Sequence, residues 1–451
     1  MRTLLVALLL VGCGGGDEPV VEAPAPTITA RWARASGDGA NQLPWSVAVD
    51  ARGDVIVVGE YGGSFDLGGP LDTPKGVTIS GFVAKLGRDG GRKWARRIGG
   101  TADASTFAVA VDGAGHAHVG GWFRGQMTLD GKTLESAGET DAYWIELDEN
   151  GAVVRAMRFG DAGSQAVTSI ATDADGVVLA GDFDGMVDLG TGPLASHGAL
   201  DVFVARFGTA GKPVYARALG GPSLDRRPKV ALGRDGTAFV AATYRGVPDL
   251  GGGPLPDRFD GTFLTRLSKS GAHLWSKGFS GEGWCYPTGL AVEDDRLAFA
   301  ARFTDSVDLG GGTIKSESGE DALLGVFGDD GVLQKAQRYG GFGQDAISGL
   351  AWDHGALWMT GEVQTTFGPL TSAGSADLFV ARLNPDLSIR VAARFGDAQL
   401  QRGQRLAVDP LGGAVVVGAF FGALDFGAAR VSSNGGFDDG GGDVFVASFA
   451  P

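Results

Sequence analysis

The chain has 451 residues, of which 78 are glycine and 18 proline, and 43% are hydrophobic. Glycine is more than twice its ordinary share of about 7%, yet the apolar fraction is enough for a large core, which excludes a disordered chain. The 38 basic against 53 acidic side chains, net −15, argue against nucleic acid as a partner, and only two cysteines exclude a disulfide framework.

Met1–Thr3 is a short basic start, and Leu4–Val11 is an unbroken apolar run of eight residues, too short to span a bilayer. It ends in Leu10-Val11-Gly12-Cys13, which resembles the lipobox of bacterial lipoproteins. The resemblance implies that residues 1–12 are a signal peptide and that Cys13 becomes the acylated first residue. It also implies that Gly14, in place of Asp, permits export to the outer membrane. Residues 13–29 are the expected tether, because Gly14–Pro26 combines glycine, acid and proline with no apolar period. Each buried methylene of an acyl chain contributes about 0.8 kcal/mol, so more than one chain makes the anchor effectively permanent. The expected partner at this end is therefore a membrane, and the expected location is the cell envelope, at the outer membrane or the cell surface.

Residues 30–451 repeat. Segments like Trp-Ala-Arg begin at Trp32, Trp94, Arg155, Tyr215, Trp275, Lys335 and Val391, at steps of 62, 61, 60, 60, 60 and 56 residues. A second segment, Val47-Ala48-Val49-Asp50, recurs from Val109, Ile170, Val230, Leu290, Leu350 and Leu406. A third, Phe82-Val83-Ala84-Lys85-Leu86, recurs from Phe203, Phe379 and Phe445, and more loosely from Tyr143, Phe263 and Leu323. Between the second and third lie β-rich runs such as Val55–Gly59 and Ala414–Gly418. Each period thus holds four short strands, labelled a (from Val47), b (from Val55), c (from Phe82) and d (from Trp94). Tight turns such as Asp50-Ala51-Arg52-Gly53 join a to b, and turns ending in Gly90, Gly151, Gly211, Gly271 and Gly331 join c to d. Seven periods of four antiparallel strands predict an all-β, seven-bladed β-propeller. The chain enters with a lone d strand at Trp32 and stops after the seventh c strand, so the first strand is expected to pair with that of Phe445 and close the ring. A single closed ring is expected to be a monomer.

The unit from Asp377-Leu378-Phe379-Val380-Ala381-Arg382-Leu383 through Phe395-Gly396 to Leu406-Ala407-Val408-Asp409 and Val415-Val416-Val417-Gly418 resembles the bacterial β-propeller repeat family labelled SBBP. The resemblance covers residues 32–451 and implies a secreted or surface propeller without defined catalytic residues. The sequence departs from it where the Asp before strand c is missing, at Ser80-Gly81 and Gly261-Thr262, and looser b–c loops are expected there. Asp89-Gly90-Gly91-Arg92-Lys93-Trp94 resembles the tryptophan-docking turn of pyrroloquinoline quinone dehydrogenases. Those enzymes have eight blades, and the tryptophan is absent from four of the seven d strands here.

Chemistry-bearing motifs are few. His116 and His118 alternate along a strand and read as cross-strand packing. Cys285 reads as a small apolar filler beside Trp284 and Tyr286. The Asp of loops such as Val187-Asp188-Leu189-Gly190 reads as turn-stabilising, because a calcium loop needs several oxygens. Asp438, Asp439 and Asp443 form the one acid cluster where Ca²⁺ is a candidate cofactor; no other metal or cofactor is expected. Neither a Gly-x-Ser-x-Gly elbow nor a P-loop stands out.

The tight a–b and c–d turns leave the b–c and d–a loops as the long-looped binding face. Trp45, Arg226, Arg227, Trp284, Tyr286 and Arg402 on the d–a loops suit a sugar, a peptide or an anionic group. The expected function is a non-catalytic, lipid-anchored propeller that presents a binding or scaffolding face to a protein, peptide or glycan. The alternative is an extracytoplasmic propeller enzyme acting on polysaccharide or peptide through paired acids in the channel.

Overall fold

In the first period, Gln42–Val49, Val55–Tyr61, Ser80–Leu86 and Arg92–Ile98 pair antiparallel in that order, as strands a to d of one sheet. The b and c runs are buried along nearly their whole length because neighbouring sheets cover both of their faces, hence their continuous rather than alternating apolar character. The computed structural model describes residues 28–279, 281–434 and 442–450. The expectations for Cys13, for the tether up to residue 27 and for Asp438 and Asp439 lie outside the described residues. Six further sheets repeat the arrangement. The blades span 42–98, 104–159, 165–219, 226–278, 285–339 and 346–395, and blade 7 combines 401–449 with 30–36.

The core is seven clusters, each formed by the facing sides of two consecutive blades. Ile56, Val58 and Val83 of blade 1 meet Val109, Val119 and Ile145 of blade 2, for example, and Val57 and Val55 of blade 1 meet Val417 and Val446 of blade 7. The a strands touch one another in a continuous inner ring, and the d strands lie outermost.

Closure occurs as the sequence predicts. Ala30–Ser36 pairs antiparallel with Asp443–Phe449, placing Trp32 opposite Ser448 and Ala35 opposite Phe445. Ile28 is buried in the cluster between blades 6 and 7, and the carbonyl of Thr29 accepts a hydrogen bond from Ala450 N, so the packed chain includes these two residues as well.

The Trp-Ala-Arg motif has a purpose that periodicity alone does not reveal. The indole N–H groups of Trp32, Trp94 and Trp275 donate to the carbonyls of Arg88, Glu149 and Asp329, each in the c–d turn of the next blade, at 2.8, 3.0 and 2.9 Å. The rings lie flat against the turn glycines. A Cβ at Gly90 would come within 2.6 Å of the Trp32 ring, and Gly90 has a positive φ of 75°, so the turn requires glycine twice over. Arg34, Arg96 and Arg217 reach the carbonyls of Gly90, Gly151 and Gly271. The motif stitches the outer edges of successive blades together, which is tryptophan docking achieved in a ring of seven.

The b–c connections are more ordered than expected. Six of them carry a small two-stranded hairpin, such as Ser64–Asp66 with Pro70–Asp72 or Met186–Asp188 with Pro193–Ala195. Strands of two to four residues are too short to show a period. The Asp residues of these loops cap their turns: Asp188 Oδ1 accepts the N–H of Gly190 and of Gly192, as the turn-stabilising reading predicts. At the start of strand c, Asp141, Asp201, Asp321 and Asp377 are buried and accept the N–H of Ala137, His197, Glu317 and Ala373 from their own b–c loops. Asp443 belongs to this set, accepting from Asn434 N. Blade 1 lacks such an Asp yet keeps its hairpin, because Asp103 accepts the N–H of Thr78 and Ile79 instead. Blade 4, the other exception, keeps only a single bridge between Asp249 and Pro254.

Candidate functional site

All seven a strands carry a β-bulge at the same level. The register slips between Pro44 and Ser46, Thr106 and Ala108, Val167 and Ser169, Arg226 and Lys229, Pro287 and Gly289, Ile347 and Gly349, and Gly403 and Arg405. A bulge adds a residue that the partner strand does not match and re-aims its side chain. Here the inserted Trp45, Phe107, Thr168, Thr288 and Ser348 line a cavity of about 600 Å³ at the channel mouth, on the face of the long loops.

The residue after each bulge forms the next ring down: Ser46, Ala108, Ser169, Lys229, Gly289, Gly349 and Arg405. Five are small and two are cations, and Lys229 and Arg405 also line the narrow waist of the channel with Ser169, Thr288 and Ser348. Among the ion pairs of the described residues, neither cation takes part. Arg405 instead donates to the carbonyl of Ser348 at 2.7 Å. Burial and the neighbouring Arg405 charge pull the Lys229 ammonium down to about 7, and burial brings Arg405 to about 10. Asp182 is pushed by burial the other way, to about 7, although its Oδ1 accepts the backbone N–H of Arg227 at 2.9 Å. Asp182 and Lys229 are each half-buried.

Aromatic groups surround these charges. Trp284 and Tyr286 stack at 4.5 Å with 21° between their planes, Trp45 meets Phe107 edge-on at 5.5 Å, and the Arg227 guanidinium lies 5.4 Å from the Tyr286 ring. Arg227 holds a φ of 60° and Asp260, which accepts the Tyr286 hydroxyl at 2.8 Å, a φ of 62°. Left-handed backbone at two non-glycine residues is a local strain of the kind that functional sites retain. The indole nitrogen of Trp45 is buried and has no hydrogen-bond partner among the described residues.

Of the residues singled out from the sequence, Trp45, Arg227, Trp284 and Tyr286 converge on this cavity. Arg226 stands on the strand beside it, opposite Thr243, and Arg402 is bound by Glu362 at 2.5 Å. Glu362 and Glu320 both also bond Arg302. Lys229, Arg405, Asp182 and Thr168 were not singled out. A signal for the two cations existed: they are the only charges at the position just before the repeated Val-Ala-Val-Asp segment.

Cys285 is buried among Phe279, Phe299 and Phe303, and its thiol is pushed up to about 11, which fits an inert filler. Its packing partners are these core rings, because Trp284 and Tyr286 on either side of it point to the channel.

His118 packs across the strands as expected, stacked on Trp144 at 5.8 Å, whereas His116 lies in the turn just before strand Ala117–Phe123 and not on it. At the opposite end of the ring, His118 Nε2 lies 3.2 Å from Asp112 Oδ2, and His116 Nδ1 lies 2.9 Å from Glu146 Oε1.

No family model matches the chain. It is 23% identical over 386 residues to the regulatory protein FlaEY of Caulobacter vibrioides, covering 81% of this chain and 35% of that protein. It is 28% identical over 161 residues to an uncharacterised WD repeat-containing protein of Acanthamoeba polyphaga mimivirus, covering 31% of this chain and 11% of that one. The chain therefore spans about a third or less of these curated relatives. Similar solved structures include the WD40 β-propeller domain of Doa1, with 11% identity, a TM-score of 0.44 and coverage of 94% and 96%. Another is the β-propeller domain of the trilobed protease from Pyrococcus furiosus, with 10% identity, a TM-score of 0.44 and coverage of 84% and 89%. A polysaccharide lyase is similar with 13% identity, a TM-score of 0.40 and coverage of 79% and 78%. The fold is a seven-bladed β-propeller. The fold by itself fixes no function, which lives in the site.

Proposed function

We propose that this propeller is a non-catalytic binding protein, held to the cell envelope by a lipid on Cys13, that captures an acidic saccharide at its channel mouth. The observation that carries the binding reading is the pair of unbridged cations, Lys229 and Arg405, on an inner ring whose other five positions are small and neutral. A carboxylate or sulfate group would give the two cations the direct ion pair that no side chain among the described residues makes with them. The stacked Trp284 and Tyr286 would give a pyranose ring an apolar face, and the hydroxyls of Thr168, Thr288 and Ser348 would meet its own hydroxyls. The lipobox and the SBBP-like repeat support an extracytoplasmic location.

The binding test is an array of neutral and acidic glycans and acidic peptides probed with the full chain. Uronate- or sulfate-bearing glycans are expected to bind, with Lys229→Met and Arg405→Met each weakening binding at least tenfold, since a charge-assisted hydrogen bond contributes about 1.5–3 kcal/mol. Binding is also expected to be tighter at pH 6 than at pH 8. Below about 7 Lys229 is charged and Asp182 neutral, and above it the site loses a positive charge and gains a negative one. Preference for neutral glycans, or for acidic peptides alone, would refute the ligand class.

The anchor has its own test. Cys13→Ser is expected to move the protein from the detergent-extracted to the soluble fraction, and unchanged membrane association would contradict lipidation.

One arrangement favours the enzymatic alternative: Asp182 and Lys229 line the same cavity, where burial moves the carboxyl up and the ammonium down towards about 7, the range in which a group can both take and return a proton. Chain shortening of a bound glycan that stops in Asp182→Asn while binding persists would select that reading.

A further inference from the structure

On the face of the tight turns, three blades share a second device. Strand a ends in an acid, and strand c places a cation against it: Asp50 with Lys85 at 3.1 Å, Asp173 with Arg206, and Asp353 with Arg382 at 3.2 Å. Blade 4, with Gly233 at the acid position, makes a similar bond from two residues further into the turn, Asp235 with Arg266 at 2.8 Å. Blades 5 and 7 carry the neutral Val326 and Ser448 at that c-strand position, and blade 2 reverses its charge. Its a strand ends in Asp112, but the c-strand position that holds Lys85 in blade 1, opposite Ile56 and Trp94, holds Glu146, opposite His118 and Arg155. Two carboxylates stand where the other blades place one.

Arg155 compensates for one of them, its Nε lying 3.1 Å from Glu146 Oε2. His118 does not compensate for the other. The indole N–H of Trp144 donates to His118 Nδ1 at 3.2 Å, so that nitrogen carries a lone pair and the ring proton sits on Nε2, facing Asp112 Oδ2 at 3.2 Å. His118 is thus a neutral donor that orients Asp112, a common arrangement in the outer shell of metal sites. The N–H groups of Ala114 and His116 both donate to Asp112 Oδ1 at 2.9 Å, which folds the turn back and carries the His116 ring over the carboxylates. Asp112, His116 and Glu146 then each present one ligand atom, all within 4.8 Å of one another. They border a cavity of about 450 Å³.

We propose that Asp112, His116 and Glu146 bind a divalent transition-metal ion of the zinc class, with His118 as a positioning residue. One imidazole and two carboxylates form a donor set that zinc accepts, three protein ligands leave a coordination position open, and the cavity gives that position room for water or an outside ligand. The ion supplies the positive charge that Lys85 or Arg206 supplies in the neighbouring blades. The site lies at the other end of the ring from the saccharide site and does not depend on it.

The test uses the full chain, stripped with chelator and titrated with ZnCl₂ by calorimetry and with Co²⁺ by visible absorbance. One equivalent of Zn²⁺ is expected to bind and to raise the melting temperature. His116→Ala is expected to weaken binding at least tenfold. His118→Gln is expected to weaken it by about 10–100-fold and to shift the Co²⁺ spectrum, as loss of an orienting outer-shell group does. The double variant Glu146→Lys, Arg155→Trp gives blade 2 the pair found in blade 1, so it should fold with an unchanged melting temperature in chelator and bind no metal. Absence of one-to-one binding by the wild type, or equal binding by His116→Ala or the double variant, would overturn the assignment.

Discussion

Deleting residues 28–37 is expected to abolish the single cooperative melting transition and to leave a chain that aggregates at temperatures where the intact protein is stable. Those residues are the outer strand of blade 7. Without them Asp443–Phe449 becomes an exposed, predominantly apolar edge, the form of strand that pairs with other chains. The same cut removes Ile28, Ala30 and Ala33 from one inter-blade cluster and Trp32 from the next, so two of the seven core clusters lose material at once. A fully buried Trp truncated to Ala costs about 3–5 kcal/mol by itself, and total domain stability is only about 5–15 kcal/mol. Trp32→Ala is the milder companion: it loses the ring against Gly90 and the bond to Arg88, and is expected to lower stability by roughly 3 kcal/mol while leaving one transition. Scanning calorimetry with light scattering distinguishes these outcomes. An unchanged transition in the deletion variant would contradict closure by this strand.

Gly361→Val is expected to be the most damaging single substitution at an exchangeable position, costing about 3 kcal/mol or more. Gly59, Gly121, Gly181, Gly361 and Gly418 occupy the same place on five b strands. A Cβ there would lie 2.1, 1.9, 1.9, 1.7 and 1.8 Å from an a-strand carbonyl oxygen. In these five blades the a-strand carbonyl just before the bulge closes on the b strand, and only hydrogen fits between the two backbones. Blades 4 and 5 keep the bulge yet hold alanine at the equivalent Ala242 and Ala301, so there the two backbones stand far enough apart for a Cβ. The substitution therefore presses on the inner strand that carries Ser348, and weaker ligand binding should accompany the loss of stability. Ala301→Gly is the control, expected to cost about 1 kcal/mol or less. Denaturant midpoints measure both, and a Gly361→Val cost under about 0.5 kcal/mol would show that the inner strand moves freely.

The high glycine content thus has two origins of different legibility. Turn glycines such as Gly53 and Gly90 follow local rules, a positive φ at a fixed position in a tight hairpin, and could be placed from sequence. The b-strand glycines end apolar runs and look like strand termini. Their reason is a carbonyl on the neighbouring strand, which becomes visible only once the register is known.

The same division holds for the molecule as a whole. The order of residues by itself determined seven periods, four strands in each and the strand that closes the ring, because turn chemistry and apolar runs act over a few residues and repeat. It also marked four of the aromatic and cationic side chains at the channel mouth, since they stand out on the long-loop face. The tertiary structure decided which side chains act together. Lys229 and Arg405 come from blades 4 and 7, and only a closed ring of inner strands, each bulged at one level, turns them toward a common channel. Glu146 reads as one unremarkable acid along the chain. It becomes half of a carboxylate pair only when strand c, laid beside strand b, brings its side chain to the turn that ends strand a, where charge is balanced by distance in space and not by spacing in sequence.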